Sequence, residues 1–212
     1  MVPILTTFLP REHGFHFVNR FDINFEFDLP LIGKIDLGDI VYGLCGGMCF
    51  AALDHYYAGK PVPAYTNEQD IPAAFHNYLM KRQLDSMMLP VVPKVIEWML
   101  RGDDDLGLRM SRYEIPKIRR SLDSGKPVVL ALIRVGGVND PTKNHQVLVR
   151  GYDFDPQSKD LVFHLYDPNW PGQEPEIRLN LTKPSQGVQS LESTGEPLRG
   201  LFQINYRQEQ PE

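Results

Sequence analysis

Cysteine is scarce in this chain: Cys45 and Cys49 are the two among 212 residues. Four apart on one helix, their Cβ vectors run parallel and suit a disulfide poorly. That excludes a small fold stapled by bridges. Both are read as thiols, which favours a cytoplasmic setting, or export without a bridge framework and without a classical signal peptide. Residues 1–10 carry neither a basic start nor a small-residue cleavage pattern, so no such peptide is expected. No run approaches the roughly 20 apolar residues a membrane-spanning helix needs, so no membrane partner is expected. Charge of one sign is lacking too. The 22 Lys and Arg stand against 27 Asp and Glu, a net −5. Without clustered basic residues, nucleic acid is not an expected partner. There is no internal repeat and no low-complexity tract.

What is present suits one domain over 1–212. The 42% hydrophobic content is enough for a core. Three zones follow one another. Residues 1–43 form an extended segment, with a strand pattern at 23–27 and a loop expected over 29–42. Residues 44–125 are mainly helical, with helices at 46–58, 71–86, 92–101 and 113–124. Pro72, Pro93 and Pro116 sit near first turns, and Gly59 and Gly125 close helices. On the first helix, Met48, Cys49, Ala52, Leu53 and Tyr56 share the packing face, which places Asp54 and His55 toward solvent. Residues 126–207 read as antiparallel strands at 128–135, 146–154, 161–166, 176–181 and 201–206, separated by turn clusters. One cluster is the Ser-, Gly- and Pro-rich stretch 184–200. Helices first and strands second predict an α+β fold.

Chemistry concentrates at three residues. Cys45 precedes Gly46-Gly47, which let other backbone or a substrate come close. A helix beginning there puts the thiol at its positive end, which favours the thiolate nucleophile. Unpaired N–H groups at 45–47 can hold an oxyanion. Cys49, one turn on, fits the core unless the helix starts later. His145 opens a strand, in phase with Val147 and Val149. Asp167 closes the next one, in phase with Leu161, Phe163 and Leu165. A short hairpin at 151–160 joins the strands, so His145 and Asp167 become neighbours, and the carboxylate can fix the imidazole tautomer. His164 is out of phase and faces away. His55 and His76 are expected on solvated helix faces, and His13 and His16 belong to the N-terminal segment. Two cysteines four apart on a helix are an unusual zinc spacing, so no metal and no cofactor is expected.

The run 43–52 (Gly-Leu-Cys-Gly-Gly-Met-Cys-Phe-Ala-Ala) resembles the nucleophile segment of papain-like cysteine peptidases, including bacterial effector and bacteriocin-processing types. The lead-in 122–130, the stretch 144–152 around His145, and 165–169 ending in Asp167-Pro168-Asn169 resemble that family's later motifs, in the family's order. The resemblance covers about 43–170. It implies a papain-like fold, with the nucleophile helix packed on an antiparallel sheet. It also implies a cysteine hydrolase of amide or peptide bonds with a peptide or protein substrate, Cys45 as nucleophile, His145 as base and Asp167 as orienting group. Papain's own motif points instead to Cys49, and its third residue is an asparagine, which points to Asn169. Papain's glutamine before the nucleophile has no counterpart in 36–44; Asn19 is a candidate replacement. Acyl transfer, deamidation, or peptide binding without chemistry remain open on the same fold.

Overall fold

The computed structural model describes residues 3–21, 26–29, 33–36, 43–88, 90–137, 139, 141–187 and 189–212. The expectations for 23–25 and for most of 29–42 lie outside these residues. Inside them, strands β2 (Glu26–Leu29) and β3 (Gly33–Asp36) pair antiparallel, so the expected loop contains a strand.

The sheet is built late in the chain. Strands β4 (Val128–Ile133), β5 (His145–Phe154), β6 (Asp160–Tyr166), β7 (Glu176–Asn180), β8 (Gln189–Glu192) and β9 (Gly200–Gln203) lie in the order β8-β7-β6-β5-β4-β9, all antiparallel. A short strand from the N-terminal segment, β1 (Ile4–Leu5), pairs with Gly151 and Tyr152 of β5. β8 falls inside the stretch 184–200 that the sequence reads as turns. β4 is buried at every position, as its Val-Val-Leu-Ala-Leu-Ile run demands.

Among the described residues the helices are α1 (Pro10–His13), α2 (Cys45–Ala58), α3 (Ala73–Met87), α4 (Val91–Met99), α5 (Asp103–Arg109) and α6 (Ile115–Asp123), the last two joined by a π-helical turn at Met110–Glu114. None of them is long and apolar enough to cross a membrane. The fold is mixed α+β, as the sequence pattern predicts.

α2 holds the architecture together. It packs against α3 on one side and against β4 and β5 on the other. Every residue from Cys45 to His55 is buried, so α2 is a core helix rather than an amphipathic one. The expectation that Asp54 and His55 face solvent is therefore overturned. Asp54 is fully buried and accepts hydrogen bonds from Tyr78 Oη (2.7 Å), Tyr206 Oη (2.7 Å), the Glu209 backbone N–H (2.9 Å) and Arg82 Nη2 (3.2 Å). Arg82 also bonds Asp85 and the Arg207 carbonyl and lies over the Phe50 ring. Enough donors converge on Asp54 for a carboxylate to sit in the core. His55 packs edge-on against Phe15 and Phe75, and burial lowers its pKa. His76 is half-buried beside Phe21. α2 ends at Gly59, whose φ of 63° is the left-handed C-cap geometry.

Two glycines explain how closely α2 is packed. A Cβ on Gly47 would collide with the Leu79 carbonyl oxygen of α3, and one on Gly46 with the Ser86 hydroxyl and the Gln146 amide. The N-terminal segment is built into the same core through Phe8, Phe15 and Phe17, all buried.

Candidate active site

The site is assembled from the first residue of α2 and the facing ends of β5 and β6. α2 starts at Cys45 itself, one residue earlier than the pattern predicts, so this sulfur, not that of Cys49, lies at the helix N-terminus. Gly43 adopts φ 78°, the left-handed geometry glycine tolerates, and turns the chain into the helix.

On the sheet, Leu148 pairs with Tyr166 and Val149 with Leu165. Continued one step, that register sets Val147 opposite Asp167 and puts His145 on the diagonal, within reach of a long side chain. A bulge at Arg150 shifts the pairing between Val149 and Gly151. It lies on the hairpin side of these residues, so the phase relation between His145 and Asp167 is untouched. His145 Nε2 and Asp167 Oδ1 are 2.7 Å apart, both side chains buried. His164 lies on the opposite face, bonded to Asp153 at 2.8 Å. His13 Nδ1 accepts the N–H of Leu9, the residue before α1, and His16 is exposed.

With Nε2 engaged by Asp167, Nδ1 is the remaining ring nitrogen, and Cys45 lines the same groove as the ring, near enough to favour its charged form. Burial works against a charged imidazole. The Asp167 carboxylate and its hydrogen bond, helped by Cys45, outweigh it and push His145 up to about 10. Asp167 moves the other way. Burial raises it, but His145, the Asn169 N–H (2.8 Å) and the more distant Arg134 hold it below the usual carboxylate range. His145 and Asp167 thus each favour the charged form of the other. Cys49 is fully buried, its sulfur 3.8 Å from the Gln146 carbonyl oxygen; burial, Cys45 and Asp167 keep it a neutral thiol. Asn169, the other candidate for the third position, has its side-chain oxygen on Asn19 Nδ2 at 3.1 Å.

Asn19 does not aim into the cleft. Its oxygen accepts the Leu44 N–H, and its amide nitrogen goes to Asn169. It clamps the turn before Cys45 onto the loop after Asp167. Of the backbone groups at 45–47, Gly47 N–H is taken by Gln83 Oε1 at 2.7 Å. Among the described residues, Cys45 and Gly46 N–H have no partner, which narrows the expected oxyanion donors from three to two. Sequence reasoning missed both Asn19's clamp and Gln83, because each comes from a distant segment. The glycine pair was the one available signal that something crosses α2 closely.

A groove opens where these groups meet. Cys45, His145 and Gln146 line one part of it, and Met87, Val91 and Val95 form an apolar wall. Asn144 fixes the entry to β5 by accepting the Arg134 N–H (3.0 Å) and donating to the Pro141 carbonyl (3.0 Å). Among the described residues, no three His, Cys, Asp or Glu side chains are placed to hold a metal ion. No protein-family model, no curated protein and no solved structure matches this chain, so the site is read on its own geometry.

Proposed function

We propose that the protein is a papain-like cysteine hydrolase that cleaves an amide or peptide bond. The observation that carries this reading is Cys45 at a helix N-terminus, lining one groove with an imidazole whose Nε2 is held by Asp167. Cys45 Sγ attacks the acyl carbon, and His145 Nδ1 accepts its proton. The carbonyl oxygen gains negative charge and is met by the Cys45 and Gly46 N–H groups. Collapse breaks the C–N bond, and His145 gives its proton to the leaving amine. Water then attacks the thioester, with His145 taking one of its protons. The acid departs and the Cys45 thiol is restored.

Labelling with an iodoacetamide probe at mildly acidic pH tests the nucleophile. Cys45→Ala is expected to lose the fast label and Cys49→Ala to keep it; equal labelling in both variants contradicts the assignment. A peptide-library digest with the same variants tests the reaction. Cleavage that depends on Cys45 supports hydrolysis, while peptide retention without cleavage makes the protein a binding domain. Product analysis with an added amine separates hydrolysis from acyl transfer.

A further inference from the structure

Gln146 follows His145 on β5 and lines the groove with it, yet the proposed reaction leaves it without a role. The residue is 8% exposed. Its Oε1 is buried with no hydrogen-bond partner. This oxygen and the Ser86 hydroxyl crowd the same point beside Gly46, where a Cβ would collide with both. Ser86 already spends its hydrogen on the Gln83 carbonyl at 2.7 Å, so it faces Gln146 as an acceptor. Two acceptors facing each other leave a buried oxygen unsatisfied, which is unfavourable. A half-turn of the terminal amide occupies the same volume, brings Nε2 onto Ser86, and relieves that cost. The amide oxygen then sits at the other end of the group, away from Gly46 and Ser86, in a residue that lines the groove with Cys45 and His145.

We infer that Gln146 is a substrate-positioning residue: held by Ser86, its side-chain oxygen accepts the backbone N–H of the residue whose carbonyl Cys45 attacks. The inference rests on the hydrolase reading and deepens it by naming the substrate class. Substrates are peptides carrying an N–H on the acyl side of the scissile bond, as opposed to simple acyl esters or thioesters. It also gives Gly46 a second purpose, since any side chain there would displace Gln146.

Two matched probes test it: acetyl-leucyl-valyl chloromethyl ketone, and its depsipeptide in which oxygen replaces the valine N–H. Both alkylate a cysteine, forming the S–C bond with loss of chloride. The swap removes a donor with little change in size. The second-order labelling rate of Cys45 is expected to fall about tenfold for the ester in the wild type, the worth of one well-placed hydrogen bond. In Gln146→Met the two probes are expected to react alike. An equal amide-to-ester ratio in wild type and variant overturns the role of Gln146. So does equal labelling by both probes in the wild type, a comparison that stands even if the variant fails to fold. If neither probe labels Cys45 faster than iodoacetamide does, the hydrolase reading itself fails, a result distinct from the other two.

Discussion

The pH response of the site is decided by two side chains. His145 is held up to about 10 against an ordinary 6.5, so its coupling stabilises the fold fully below 6.5 and is lost as pH rises through about 10. Asp167 is held below its ordinary 3.8, so its share is present above that value and is lost as pH falls through the lowered one. Urea midpoints at pH 7 and pH 10 are therefore expected to fall more steeply in the wild type than in Asp167→Asn; parallel slopes would mean that the pair is not coupled. Replacing His145 with alanine is expected to cost on the order of 10²–10⁴-fold in turnover of a cleaved peptide, the range for losing a general acid–base, with the fold intact by circular dichroism. The glycines can be told apart as well. At Gly47 an added methyl meets fixed backbone of α3, whereas at Gly46 it meets side chains that can shift. Thermal unfolding is expected to show Gly47→Ala losing about 1–3 kcal/mol despite alanine's better helix propensity, and Gly46→Ala losing less.

Scaled up to whole elements, α2 holds Cys45, the proposed nucleophile, in place because it is gripped along its length. Gln83 from α3 takes the Gly47 N–H near the start. Further along, Asp54 collects Tyr78, Arg82, Tyr206 and the Glu209 backbone, which ties α3 and the C-terminal segment to one carboxylate. Removing one partner of a buried pair strands the other. Arg82→Met is expected to destabilise by about 3–5 kcal/mol, and Tyr206→Phe, which leaves Asp54 its other donors, by about 1 kcal/mol. Chemical denaturation of the two variants checks the ranking, and equal losses would contradict it. These contacts also explain what the helical pattern hid. Asp54 and His55 look like a solvated stripe because periodicity records polarity, while the donors that make Asp54 buriable lie 24 to 155 residues away and the rings that enclose His55 come from Phe15 and Phe75. α5 was missed for a local reason: Asp103, Asp104 and Asp105 with Gly107 dilute the apolar signal, although acidic residues in a first turn suit the helix dipole.

Over the whole molecule, the α+β order and the relation of His145 to Asp167 were legible because both depend on short-range pattern. Strand phase survives any tertiary rearrangement that leaves the hairpin register alone, and the Arg150 bulge falls outside the stretch that matters. Cys45 at a helix start was legible from the Gly-Gly that follows it. Other features were not, since they come from chain brought in from afar. Ile4–Leu5 is too short to signal a strand and becomes one by pairing with β5. Gln189–Glu192 reads as turn and becomes a strand beside β7. Asn19 acquires its place by spanning Leu44 and Asn169. The site is thus a convergence of three distant segments on one imidazole, and the charge state of that imidazole reports whether they converge. An NMR titration of the His145 ring measures it directly. The ring is expected to stay protonated through neutral pH and to titrate at about 10, with a clear drop in Asp167→Asn. A His145 that titrates near 6.5, unmoved by that substitution, would contradict that expectation.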